Sequence, residues 1–123
     1  MKKVVVLLLI ATLLLTACVA ATEKQPEDQH TKYGKRALEI ADNYIDFVMN
    51  AGTALARMQD LTNAKGTLPI VDSSNENYQR YSAIENAVSD LYDEIEEAYI
   101  QNDAVGVVEA RNKLAEVLGE KVR

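Results

Sequence analysis

Residues 81–98, YSAIENAVSDLYDEIEEA, decide the fold of this chain. Their apolar side chains recur at alternating spacings of three and four residues over about two and a half heptads, the pattern of a helix that packs along one seam. The seam residues are Tyr81, Ile84, Val88, Leu91, Ile95 and Ala98. Ser73 and Glu76 form a capping-box pattern, so we expect this helix to begin at about Ser74.

The segment before this helix carries a second apolar stripe. From about Tyr33 to Ala64 the pattern predicts one long amphipathic helix. Its stripe residues are Leu38, Ala41, Ile45, Val48, Gly52 and Leu55. We expect Lys65-Gly66 to end it with a left-handed cap and Pro69 to prevent its continuation. Gly52 indicates either close approach of a facing helix, with a tyrosine lying across it, or a hinge.

A third helix is predicted from Ala104 to about Leu118, with Asn102 or Asp103 as its cap and Gly119 as its stop. Its connection to the second helix is short, so these two helices are expected to run antiparallel. The sequence therefore predicts an all-α fold, a small up-down-up three-helix bundle formed by residues 33–123.

The start of the chain has a different character. Lys2 and Lys3 precede an apolar run from Val4 to Leu15, which is typical of a secretory signal. The run closes with Leu15-Thr16-Ala17-Cys18. The alternative, a membrane-spanning helix, would only reach the lower length limit of about 18 residues. Cys18, the one cysteine, could also be a buried thiol, although no second cysteine exists to pair with it.

Leu15, Thr16, Ala17 and Cys18 resemble the lipobox of bacterial lipoproteins, a leucine and two small residues before a cysteine. The resemblance implies that residues 1–17 are removed and that Cys18 becomes a new N-terminus carrying acyl chains on diacylglycerol. It also implies an anchor on the extracytoplasmic side of a bacterial membrane. Because Val19 and not aspartate follows the cysteine, the resemblance implies the outer membrane in an envelope with two membranes.

Residues 18–32 are predicted to be the lipidated cysteine and a flexible tether, because they are mostly polar and lack periodicity. His30, the one histidine, is interpreted as a solvated tether residue. Removing residues 1–17 takes away two of the thirteen basic side chains and none of the nineteen acidic ones, which changes the net charge from −6 to −8. That charge argues against nucleic acid as a partner and against docking on anionic lipid headgroups.

The predicted bundle lacks the residues of the usual catalytic sites. It contains neither a histidine, a second cysteine nor a glycine-rich phosphate loop, so we expect no enzyme activity, no metal site and no cofactor. An acidic cluster is interpreted as a solvated face or, alternatively, as a cation site: Asp90, Asp93, Glu94, Glu96 and Glu97. We expect Arg111 and Lys113 to pair with this cluster across the helix hairpin.

One connecting segment is unusually apolar, Leu68-Pro69-Ile70-Val71. It either folds back over the open end of the bundle or docks a partner, which makes Leu68, Ile70 and Val71 candidate partner-binding residues. Tyr78, Tyr92 and Tyr99 border the central seam, either as core-edge residues or as a stacking surface for a glycan or peptide.

These features together predict a lipid-anchored, non-catalytic interaction or structural module of the bacterial cell envelope. Its partners would be the membrane, through the anchor, and another envelope protein or a second copy that completes the central seam. The alternative is a small-ligand or cation-binding lipoprotein that uses the bundle interior or the acidic cluster.

Overall fold

The computed structural model describes residues 28–123, which form four helices. They are α1 (Gln29–Ile45), α2 (Ala51–Asn63), α3 (Tyr78–Gln101) and α4 (Val105–Leu118), with a short 3-10 helix, Ala64–Thr67, after α2. The predicted all-α bundle is confirmed. α1 contacts the other three helices, and α3 packs along both α2 and α4.

The segment predicted as one first helix is two helices joined by residues 46–50, so the count of three was wrong. Two local hydrogen-bond systems cause the break. The N–H of Val48 donates to the carbonyl oxygen of Asn43 at 2.8 Å and closes α1. The side chain of Asn50 accepts from the N–H of Thr53 at 2.8 Å and caps α2. The chain therefore forms two helical hairpins in sequence.

α1 also begins earlier than expected, because Asp28 caps it. A carboxylate oxygen of Asp28 accepts from the N–H of Thr31 at 2.7 Å. Residues 29–32, predicted as tether, therefore belong to the helix. The interpretation of His30 as solvated was wrong: its side chain is buried, and its ring stacks on Tyr81 with the centroids 4.0 Å apart.

Helix termini elsewhere agree only partly with the sequence. α3 begins at Tyr78, not Ser74, because Asp72 and Asn75 direct the preceding residues into turns and the Ser73 hydroxyl bonds Asp72. Gly119 ends α4 with a φ of +72°, as predicted. The left-handed cap predicted at Lys65-Gly66 was wrong, since α2 passes into the 3-10 helix.

The interior contains the central seam, large apolar side chains from the other three helices and several small residues. Ile84, Val88, Leu91 and Ile95 are fully buried, which confirms the seam as the core of the fold. Seven alanines are also buried: Ala37, Ala41, Ala54, Ala87, Ala98, Ala110 and Ala115. Such residues let neighbouring helix backbones approach closely. At Gly34 a Cβ would lie 2.8 Å from a methyl group of Leu118, so this contact leaves no spare space.

Arg111 does not pair with the acidic cluster, so that prediction was wrong. Its buried guanidinium forms a bidentate pair with Asp42 of α1, with N···O distances of 2.7 and 3.2 Å. It also donates to the carbonyl oxygen of Lys121 at 2.6 Å. Within the acidic cluster, the Glu94 carboxylate lies over Gly106 in the first turn of α4, where the helix dipole favours negative charge.

Candidate functional site

The four lipobox residues, Leu15, Thr16, Ala17 and Cys18, lie outside the described residues. The described residues begin at Asp28, and we call this end of the bundle the entry end. Arg80 of α3 fastens it, donating to Asp28 at 3.1 Å and to the Thr31 hydroxyl at 2.7 Å. Desolvation raises the pKa of Asp28, but hydrogen bonds from Thr31 and the nearby Arg80 outweigh it and hold that pKa below its ordinary value.

The predicted partner-binding segment, residues 68–71, divides its side chains between the core and the solvent. Leu68 packs against the core and Val71 is half-buried, whereas Ile70 is fully exposed. Together with Tyr78, the segment lines a groove of about 490 Å³ that also reaches His30. The segment therefore covers the bundle with one residue and presents another to solvent, and a partner at this groove stays a prediction.

Five exposed apolar side chains lie at the opposite end, where the two hairpins turn. We call this group the apolar tip. Its residues and their exposed fractions are Phe47 95%, Val48 71%, Tyr99 58%, Ile100 70% and Val105 70%. Gly52 follows the first turn and Tyr99 precedes the second. The two residues are close together, since a Cβ at Gly52 would lie 3.4 Å from the Tyr99 ring. This contact agrees with the prediction that a tyrosine lies across Gly52.

Phe47 holds a backbone conformation that is unfavourable for its residue type. Its φ is +62°, in the left-handed region, which costs an L-amino acid with a side chain about 1–2 kcal/mol. It follows α1 in a Schellman motif: its N–H donates to the carbonyl oxygen of Tyr44, and the next N–H donates to that of Asn43. Glycine is the usual residue at this position.

Two other described residues have a positive φ, and each follows a helix. α3 is followed by Asn102 at a φ of +58°, and α4 by Gly119 at +72°. Asparagine and glycine adopt this conformation at the lowest cost. Phe47 is the exception, and its ring is 95% exposed, so almost no buried contact offsets the backbone cost. Backbone strain of this kind clusters at functional sites.

Carboxylates flank the part of the apolar tip that α3 and α4 form. Residues 93–109, which include Ile100 and Val105, contain six acidic residues and no lysine or arginine. Asp46 precedes Phe47 and is neutralised by a pair with Arg123, whose hydrogen bond lowers the pKa of Asp46. Lys113 lines a depression together with Asp90, Asp93 and Glu94 of α3, and its pairing with them stays a prediction.

The apolar tip was missed by sequence reasoning, although two signals were present. Phe47 falls off the apolar stripe of the first predicted helix, and Ile100 falls off the central seam. Each side chain therefore lies off the buried face of its predicted helix and would be exposed there, whether or not the helix is interrupted. Of the tyrosines named as border residues, Tyr99 belongs to the tip, whereas Tyr92 is half-buried and accepts a hydrogen bond from Gln59 at 3.3 Å.

Within residues 28–123, His, Cys, Asp and Glu side chains form no group of three that could hold a metal ion. In the same part of the chain, the helices lack the combination of length and apolar character that a membrane crossing requires.

Neither the protein-family models, the curated proteins nor the solved structures gave a match to this chain. The functional proposal therefore depends on the chain's own residues.

Proposed function

We propose that this chain is a lipid-anchored interaction module of the bacterial cell envelope, with no catalytic activity of its own. The resemblance of residues 15–18 to a lipobox supports the anchor, which would attach through diacylglycerol on Cys18. The module would lie on the extracytoplasmic side, at the outer membrane where two membranes exist. The apolar tip supports the interaction role.

One observation carries the interaction role: Phe47 has a strained backbone conformation and buries almost none of its side chain within the bundle. The residue occupies a left-handed position suited to glycine, and its ring is 95% exposed. Neither packing nor backbone geometry within the chain explains a phenylalanine there. Contact with another molecule does, because burying such a ring removes a large apolar area from water.

The arrangement of the bundle suits this role. α1 has 17 residues, so it extends about 25 Å at 1.5 Å per residue from the entry end to the tip. The anchor and the tip are thus attached at opposite ends of the helices. The net charge of −8 after signal removal disfavours contact between the bundle and anionic headgroups. An anchored bundle of this kind can present its tip away from the membrane.

The anchor is tested by expressing the full chain and its Cys18→Ser variant in bacteria supplied with an alkyne-labelled fatty acid. We expect label on the wild-type chain alone, together with a mass that shows cleavage before Cys18. An unlabelled wild-type chain, or equal labelling of both chains, contradicts the proposed anchor.

The tip is tested in the same cells by placing a photo-crosslinking amino acid at Val48 and, in a second strain, at Ile70. Both side chains are exposed, but they lie at opposite ends of the bundle. We expect a discrete crosslinked protein from position 48 that disappears when Phe47 is replaced by asparagine. Absence of any crosslink at position 48 would refute a role for the tip in binding.

A further inference from the structure

We propose that the apolar tip binds a basic amphipathic segment of another protein, in which lysine and arginine flank an apolar face. This inference rests on the proposed function and specifies the chemistry of the partner. It depends on two properties of the same surface, an exposed apolar centre and a rim of carboxylates.

The centre of the surface is formed by side chains that the bundle leaves uncovered. Phe47, Val48, Ile100 and Val105 are each at least 70% exposed. Exposed apolar side chains gathered at one end of a small domain and flanked by polar residues usually mark an interaction site. Apolar side chains at helical spacing on a partner would cover such a centre.

On the α3–α4 side of the tip the rim is acidic, whereas Asp46 beside Phe47 is paired with Arg123. Glu96 and Glu97 lie one turn before Ile100 on α3, and Glu109 lies one turn after Val105 on α4, so helical spacing places each beside a tip residue. All three are exposed, as is Asp103 in the connection between them. Basic residues at the edge of a partner's apolar face would complement this rim and accelerate encounter.

The same charge disfavours the two other occupants. A second copy of the chain would bring an identical acidic rim against the first, and like-charge juxtaposition opposes such a contact. The tip is also small, because a stable interface buries about 800 Å² on each partner and a few side chains supply only part of that area. An anionic lipid surface would repel the carboxylates.

The test uses the lipidated mature chain in phosphatidylcholine nanodiscs and a labelled helical peptide of leucine and lysine, with apolar residues on one face. A matched peptide carries glutamate in place of lysine. At physiological ionic strength we expect the basic peptide to bind about tenfold more tightly than the acidic one. Equal affinities, or no binding of the basic peptide beyond that to empty nanodiscs, would overturn the inference.

Paired variants locate the binding. Phe47→Asn removes the ring and introduces a residue that tolerates the left-handed backbone. We therefore expect this variant to fold and to bind the peptide about tenfold more weakly. Ile70→Asn removes an equally exposed apolar side chain from the entry end and is expected to leave affinity unchanged. Equal losses in the two variants would place the peptide elsewhere. The double substitution Glu96→Gln and Glu97→Gln should reduce both the affinity and its salt dependence.

The crosslinking experiment at Val48 separates failure of this inference from failure of the proposed function. A tip-dependent crosslink to a protein without a basic amphipathic segment, or to a second copy of the chain, would overturn the inference and preserve an interaction role. No crosslink at all would remove both. A basic segment crosslinked in wild type and lost in Phe47→Asn would support both.

Discussion

Replacing Phe47 by glycine is expected to stabilise the isolated bundle, although it deletes a large apolar side chain. Relief of the left-handed backbone should contribute about 1.5 kcal/mol. Greater freedom of glycine in the unfolded chain offsets about 0.75 kcal/mol. The ring is 95% exposed, so its lost burial amounts to about 10 Å², or about 0.25 kcal/mol. The net gain is about 0.5 kcal/mol, which corresponds to a rise of about 2–4 °C in Tm for a domain of this size.

Val48 provides the matched control. It is the next residue, it is 71% exposed, and it is not among the described residues with positive φ. Glycine at this position gains nothing from the backbone and should lower stability by about 0.5–1 kcal/mol. Thermal and urea unfolding followed by circular dichroism would compare both variants with the parent chain. A Phe47→Gly variant that is less stable than the parent by as much as Val48→Gly would refute the reasoning, because it would show that the ring stabilises the fold.

Three further predictions concern the scaffold. Replacing Arg111 by methionine should lower the free energy of unfolding by about 2 kcal/mol, since the half-buried Asp42 loses its bidentate partner and keeps only the hydrogen bond from Arg123. The same change at the exposed Lys113 should cost under about 0.5 kcal/mol, and similar urea midpoints for the two variants would contradict this. Gly119→Ala places a side chain at a φ of +72° and should cost about 1 kcal/mol, seen as a fall in Tm; an unchanged Tm would contradict the assigned backbone. The lowered pKa of Asp28 implies a stabilising contribution that is present above its ordinary pKa of 3.8 and is lost as pH falls through the folded-state value, so Asp28→Asn should flatten the acid limb of a stability–pH curve, and identical curves would argue against it.

Sequence reasoning predicted the parts of the fold that follow from long, regular patterns. The seam of α3 and its antiparallel partner α4 were predicted because the apolar spacing continues without interruption and Gly119 ends the pattern. The contact between Gly52 and a tyrosine was predicted because a glycine on an apolar stripe usually has a packing reason. All of these inferences depend on local periodicity.

The break between α1 and α2 could not be found from periodicity, because the apolar stripe runs through Ile45 and Val48 as if the helix continued. The break depends on the free-energy difference between a continuous helix and two helices, the second of which is capped by Asn50. Tertiary packing contributes to that difference, and periodicity does not reveal it. The partner of Arg111 was missed for a related reason. Periodicity along one helix does not show which helices are neighbours, and in the bundle α1 packs beside α4 and presents Asp42 to Arg111.

The alanine-rich interior has a consequence for how this protein could diversify. A core lined by seven buried alanines leaves little volume for larger replacements, and overpacking such contacts is destabilising. The residues at the tip make few contacts with that core, so their substitution costs the scaffold little. New specificities would therefore arise in the two turns, while the helices behind them stay under strict steric constraint. Packing thus restricts the sequence of the helices, whereas the sequence of the tip is free to vary.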